Sequence, residues 1–469
     1  MTSGRSDSRI IADFSASFGP SMVLASHVEL CGRSLADTMA VAIAAGSEPA
    51  VRRAQRYIDG LAPGLLDGGV EKLPGTASLW GMRRSSTVEG AALLNGIAAH
   101  VLDFDDASSP MNGHPSVVLF PALVALAEAR DAQGMELVAA YVVGFEICCK
   151  LGRALDLTHY SRGWHMTSTV GTIAATAACG RLLDLDAERI SNAIGLAVAQ
   201  TGGTRENFGT DAKSFQAGQV NAAAIRAALL AEQGFSASPN ALDGKAGFAT
   251  LYSAGEDLTS VLETLGDQPL EIDGSGIEIK KYPACYGIHR PLDGLFDIMS
   301  DREFGLADLD HIDIETSYGA LAPLVRHPPR SGVEGKFSME YSIAAAIADR
   351  RIGLSTYTDE AVGRREIAPH LSRIVTREAS DTMLPRWASI SISFKDGEKR
   401  MRRVDELRGS TRLPLSAEGL FAKVSDCLSW GDSSIRPSDL LDATSNLKVL
   451  SVRALIALVE HPTNATKEK

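Results

Sequence analysis

Aromatic side chains are scarce in this 469-residue chain, at 6% of the residues, which excludes a core built on rings. Ala, Val, Ile and Leu supply most of the 45% hydrophobic content, a balance that suits close-packed helices with small residues at their contacts. A basic excess is also missing. The net charge of −12 and the pI near 5.4 exclude a nucleic-acid footprint, which needs a clustered basic face. They do not exclude an anionic small molecule, because a cleft can be locally basic.

The six cysteines contain no CxxC pair and no metal-ligand spacing, so they are expected to be buried free thiols and no metal is expected. No GxxxxGK[ST] loop exists. The glycines of Thr201–Thr204 and Gly209 lack the strand–GxGxxG–helix context of a dinucleotide fold, so no nucleotide cofactor is expected. Apolar runs such as Val117 to Ala127 fall short of the ~18 residues of a membrane span. Ser21 to Leu30, broken by His27 and Glu29, is no signal peptide. A cytoplasmic protein with no membrane partner is expected.

What the chain does have is helical periodicity. Its length exceeds the roughly 250–300 residues at which one core stops growing, so more than one domain is expected. Residues 1–20 are Ser-rich and charged and are expected to fray. Helical patterns cover Ser21–Gly46 and Glu48–Asp59, and a looser stretch runs to Thr87. Further helical patterns cover 87–102, 117–130, 135–155, 168–183, 187–200 and 215–233. After about residue 265 period two appears in His311–Tyr318 and in Ser389–Phe394, the latter before the hairpin signal Asp396-Gly397. Helices are expected at Lys336–Ile352 and Asp359–Glu378, and again at Ser416–Trp430 and Pro437–Val459. The expected fold is mainly α: a large all-helical domain (1–265 and 406–469) with an inserted smaller α+β domain (266–405).

One stretch breaks the helical logic. Asp103, Asp105 and Asp106 stand at the C-terminal end of the pattern 87–102, where carboxylates oppose the helix dipole at about 0.3–1 kcal/mol each. A solvated acidic turn and a functional site both fit that. Three basic residues stand at helix entrances: His114 before Pro115, His165 before the N-cap candidate Thr167, and Lys213 before the N-cap candidate Ser214. Backbone N–H groups there favour an anion. Singly each is read as a solvated loop residue; converging, they would form a pocket for several carboxylates. Lys280 and Lys281, before Tyr282-Pro283, are either a further basic element or a charged strand end.

Taken together, the stretches His100–Asp106, Gly113–Ser116, Trp164-His165, Gly209–Lys213, Lys280–Cys285 with His289, and Gly335–Ser338 resemble the MmgE/PrpD family. That family includes 2-methylcitrate dehydratases, cis-aconitate decarboxylases and iminodisuccinate epimerases. The resemblance implies a homodimer acting on a small polycarboxylate. It maps the active site onto Asp103, His114, His165, Lys213 and Lys280, with Tyr318 as a further substrate-binding match. Lys280 is preferred to Lys281 because the family's lysine lies three positions before the proline. On this view Lys and His donors stabilise a carbanion next to a carboxylate without metal, His165 carries the proton, and Asp103 tunes Lys213 or His114. As an exposed helix-entrance residue, His165 should be replaceable at little cost in stability. The decarboxylase pattern has a threonine where this chain has Ala107, so dehydration of a 2-methylcitrate-like acid is the first expectation. Decarboxylation, epimerisation and a non-catalytic carboxylate-binding dimer are the alternatives.

Overall fold

The computed structural model describes residues 5–61, 75–253, 255, 257–380 and 385–460. It divides into two compact units, Met1–Glu278 with Leu420–Lys469, and Ile279–Gly419. The mainly α architecture with a smaller α+β part is present. No helix among the described residues is long and apolar enough to cross a membrane. The six cysteines are free and buried.

At the centre of the first unit lie two helices without a polar face, Pro115–Arg130, buried from Pro115 to Glu128, and Met166–Leu182, buried from Met166 to Gly180. A helix apolar or small all round must be enclosed by others. Val88–Val101, Gly134–Ser161, Ala187–Val198 and Asp211–Glu232 enclose them. Pro121 cannot donate to Val117 C=O four residues back. Asn221, from Asp211–Glu232, fills the gap: its Nδ2 donates to Val117 O (2.9 Å) and its Oδ1 accepts from Ala122 N (2.9 Å).

Asn221 can reach because two glycines face each other. A Cβ on Gly96 would lie 2.7 Å from Asn221 Nδ2 and 2.9 Å from Gly218 Cα, and one on Gly218 would lie 2.5 Å from Leu93 O. Helices Val88–Val101 and Asp211–Glu232 therefore approach closely only while both positions lack a side chain. The crossing brings the C-terminal end of the first to the N-terminal end of the second.

Several elements differ from expectation. The N-terminus forms a helix, Asp7–Ser17, anchored by Ile11 and Ala12 in the core and by Thr259 Oγ1 donating to Asp7 Oδ1 (2.7 Å). The large unit is not all helical: β1 (Thr76–Leu79) and β2 (Arg84–Thr87) make an antiparallel hairpin, held where Ser78 N and Oγ donate to the buried Glu128 carboxylate. Residues 1–4 of the stretch expected to fray, and 62–74 of the loose stretch, lie outside the described residues.

In the second unit, β3 (Leu309–Thr316), β4 (Ile374–Glu378), β5 (Ala388–Phe394) and β6 (Lys399–Val404) form a sheet in the order β4-β3-β5-β6. Gly397, at φ +90°, closes the β5–β6 hairpin at the expected Asp396-Gly397. Ile312, Ile314, Ile390 and Ile392 share a core with Ile288, Leu292 and Leu295 of helix Tyr286–Asp301. The helix expected at Asp359–Glu378 is only a turn, Asp359–Val362, followed by a 3-10 segment and the edge strand β4. There β-branched Ile374, Val375 and Thr376 pair parallel to β3, and tertiary pairing overrides the local helical pattern. The helix expected at Lys336–Ile352 is shorter at both ends, Met339–Asp349, with Ser338 as its cap.

The divide between the units falls at 278/279 and 419/420, where the sequence had suggested 265/266 and 405/406. Residues 266–278 stay with the first unit because Arg153 holds the Glu271 carboxylate (2.8 and 3.0 Å) and Ala107 and Glu278 pair through both backbone bonds. Residues 406–419 stay with the second, where Arg408 is tied to Asp293 and Asp297.

The glycine crossing gives a test. Gly96→Ala should cost about 1–3 kcal/mol through overpacking, against the roughly 1 kcal/mol by which alanine favours a helix. At Gly60, whose Cβ would meet nothing within 4 Å, the same change should be neutral or stabilising. Urea unfolding that ranks the two variants the other way round would remove the crossing as a constraint.

Candidate active site

Helix ends gather the candidate residues of the first unit. His114 is the residue before Pro115–Arg130 and His165 the residue before Met166–Leu182, and neither side chain caps its own helix. Thr167, expected as an N-cap, lies inside the helix, and its Oγ1 instead accepts from His114 N (3.2 Å). The two helix starts are thereby joined, and Gly113 permits it, since a Cβ there would come within 3.1 Å of Thr167 N. Helix Asp211–Glu232 begins earlier than expected, with Thr210 as its cap, so Lys213 sits in the first turn and not before it.

Each of the three neighbouring carboxylates takes a different partner. Asp103, in the left-handed region at φ +54°, turns its carboxylate to Lys213 Nζ at 2.5 Å. The half-buried Lys213 ammonium also stands 5.7 Å from the centre of the Phe208 ring. Asp105 is fully buried, and its Oδ2 accepts from His100 Nδ1 at 2.7 Å and faces His114 Nδ1 at 3.2 Å. Asp106, equally buried, accepts from Ser116 N (3.2 Å) and Ser116 Oγ at the start of Pro115–Arg130. An acidic turn in the sequence is thus three separate bonding arrangements, none of them solvated.

Four imidazole and ammonium groups lie close together. The His100 ring centre is 4.9 Å from that of His114 and 6.0 Å from that of His165, and Phe208 meets His165 edge-on at 5.0 Å. His114 Nδ1 donates to Asp106 O at 2.7 Å. His165 is buried, in contrast to the exposed position expected, and its Nδ1 is 2.6 Å from Gln216 Oε1.

Burial decides most of the protonation states. It pushes His165 well below the usual imidazole range, and the neighbouring His100 and the Lys213 ammonium add to that. His100 falls to about 4, with burial outweighing the attraction of Asp105. Burial works against the charge on Asp105 too, but the adjacent His100 and His114 prevail and hold it well below the carboxylate range. Asp106, desolvated and near Asp37 and Asp105, is pushed well above that range.

His100, Asp105 and His114 present ligand atoms within 4.8 Å of one another, close enough for a cation. In this arrangement His100 Nδ1 hydrogen-bonds the Asp105 oxygen at 2.7 Å and His114 Nδ1 faces the same oxygen at 3.2 Å.

Lys280 and Tyr318 belong to the second unit. Lys280 is buried in the segment before Tyr286–Asp301, while Tyr318 is exposed in the turn after β3. Lys281 stands 5.2 and 6.0 Å from the ring centres of Tyr282 and Phe296 of its own unit. In the sequence His100 stood out only within the family-like stretch, Asp105 only as part of the acidic turn, and Gln216 not at all. Gln216 was detectable in principle: three residues after Lys213, it shares that residue's helix face.

The MmgE/PrpD N-terminal domain matches residues 9–260 and the MmgE/PrpD C-terminal domain residues 282–435. The chain belongs to the MmgE/PrpD family. Human cis-aconitate decarboxylase is 30% identical over 72% of this chain and 73% of its own length. The mouse cis-aconitate decarboxylase is 29% identical over 80% and 81%, and that of Aspergillus terreus 24% over 83% and 84%. As an MmgE/PrpD protein the chain is an enzyme, a lyase of the dehydratase or decarboxylase type, and the reading as a non-catalytic scaffold falls away.

The buried neutral imidazole of His100 makes a pH prediction. Unfolded, it takes a proton near 6.5; folded, only near 4. Between these values the unfolded chain binds the extra proton, so His100 weakens folding progressively as pH falls through that window, by about 3 kcal/mol in all. Relative to His100→Gln, the parent should therefore gain stability from pH 4 to pH 6.5. Urea unfolding that gives a pH-independent difference would contradict a neutral His100.

Proposed function

We propose that this MmgE/PrpD enzyme is a cofactor-free lyase acting on a small polycarboxylate through a carboxylate-stabilised carbanion. The observation that carries this is the Lys213 ammonium, held on Asp103 at a helix N-terminus, in the same cluster as a buried neutral His165. A fixed cation and helix N–H groups lower the cost of charge that develops on a carboxylate, and an adjacent imidazole can move the proton. In this proposal His165 moves the proton, Asp103 orients Lys213, and His114 presents a second imidazole. Lys280 and Tyr318 are proposed as substrate-binding residues on the family resemblance. A homodimer is proposed on the same ground and is checked by sedimentation.

The names of the relatives support cis-aconitate as the first substrate to assign. In decarboxylation the bond to the departing carboxylate breaks, its electron pair is delocalised toward a remaining carboxylate, and a proton is delivered to carbon. Dehydration of a 2-methylcitrate-like acid is the second reading, supported by a neutral His165 able to act as a base. Ala107, which pairs with Glu278 through its backbone, also lacks the hydroxyl of the decarboxylase pattern.

The test is incubation with each acid in D2O, followed by NMR and carbon dioxide release. Carbon dioxide from cis-aconitate identifies the first reaction and an alkene from 2-methylcitrate the second; turnover of neither would refute the proposal. Replacing His165 by Asn should lower kcat about 10²–10⁴-fold. Because His165 is buried and leaves Gln216 without its partner, the change should also cost about 1–3 kcal/mol. An activity within threefold of the parent would remove His165 from its role.

Lys213→Gln should weaken binding of either acid and make the remaining affinity less salt-sensitive, because an ammonium–carboxylate attraction is screened by salt. Titration at two ionic strengths reads this out, and an unchanged salt slope would exclude a direct charge contact.

A further inference from the structure

We propose that Gln216 is the positioning residue of the reaction, fixing His165 as the tautomer protonated on Nδ1 so that the Nε2 lone pair is the one that takes up the proton. The inference deepens the role proposed for His165 and rests on it.

A carboxamide offers one oxygen acceptor and one NH2 donor, and here both directions are determined. Gln216 Nε2 donates to Thr204 O at 3.0 Å, which turns Oε1 to His165 Nδ1 at 2.6 Å. An acceptor at that distance requires a proton on Nδ1, and in a neutral ring Nε2 then has the lone pair.

The backbone is shaped to hold this arrangement. His165 N donates to Gly203 O (3.1 Å), so the segment that orients the amide also anchors the imidazole's own backbone. Gly203 lies at φ +108°, and a Cβ there would come within 2.8 Å of Ser168 Oγ and 3.1 Å of Gln216 Cδ. Only glycine lets the loop close over Gln216 in this way.

An amide is the chemically informative choice. A carboxylate behind an imidazole stabilises the protonated ring, whereas a neutral amide orients it without supplying charge. The charged and titratable groups facing His165 are Lys213 from the same helix as Gln216, His100 from Val88–Val101, and His114 at the start of Pro115–Arg130. Among them the Lys213 ammonium is the fixed charge that opposes a second positive one. The ring is thus aligned, neutral, and free to gain a proton at one atom. Gln216 also couples two functions on one helix face, since Lys213 lies three residues before it.

The test begins with the ligand-free enzyme and does not depend on the substrate. Long-range ¹H–¹⁵N spectra of histidine-labelled protein, assigned by the signals lost in His165→Asn, should show His165 neutral at pH 7 with its proton on Nδ1. A proton on Nε2 would overturn the proposal without any variant being made. In Gln216→Met, which keeps the length but loses both polar groups, the two tautomers should mix. With whichever acid is turned over, kcat should fall about 100-fold while KM stays within threefold. A Gln216→Met enzyme that keeps the parent tautomer and kcat would also overturn it. If neither acid reacts, the proposed reaction fails, but the tautomer is still decided by the spectra.

Discussion

The close approach of helices Val88–Val101 and Asp211–Glu232 at Gly96 and Gly218 is the constraint on which the first unit's chemistry depends. One helix delivers Asp103 just beyond its C-terminal end and the other delivers Lys213 and Gln216 in its first turns. A wider crossing would separate the ion pair and move Asn221 away from the gap left by Pro121. Packing and electrostatics are therefore the same problem here. The small residues that depress the aromatic content are what let charged ends meet with little slack.

Asp103, Asp105 and Asp106 illustrate how little a residue type says about its charge. They lie within four positions, yet one carboxylate pairs with an ammonium, one is held ionised between two imidazoles, and one is pushed toward its neutral acid by burial. The outcome follows from what each oxygen faces. Divergent environments of this kind assign different roles to chemically identical groups, and the imidazoles repeat the pattern: His114 faces a carboxylate and a carbonyl, His165 an amide.

Much of the helical framework was legible because amphipathic period and C-terminal glycines are local signals. The failures were those where partners lie far along the chain. Asp7–Ser17 is polar in sequence and is held by Thr259; β4 is a strand only because β3 lies beside it. At the site, His114 and His165 could be placed at helix starts, since a proline and a run of small residues follow them. Lys213 was misplaced because Thr210 and Ser214 are equally good caps on paper, and contacts decide between them. Gln216 gave only a positional signal, its place on the Lys213 helix face, and an amide there is ordinary until an imidazole is found against it.

The cluster also explains why a polyanionic substrate suits a neutral imidazole. Burial and the Lys213 ammonium keep His165 unprotonated. A carboxylate that pairs with Lys213 offsets part of that opposing charge, so on the proposed function the ring becomes a better proton acceptor when a substrate is present. Substrate binding and proton transfer are then linked through Lys213. A lysine fixed by Asp103 serves this better than a mobile one, because the charge that suppresses premature protonation stands where the substrate must neutralise it.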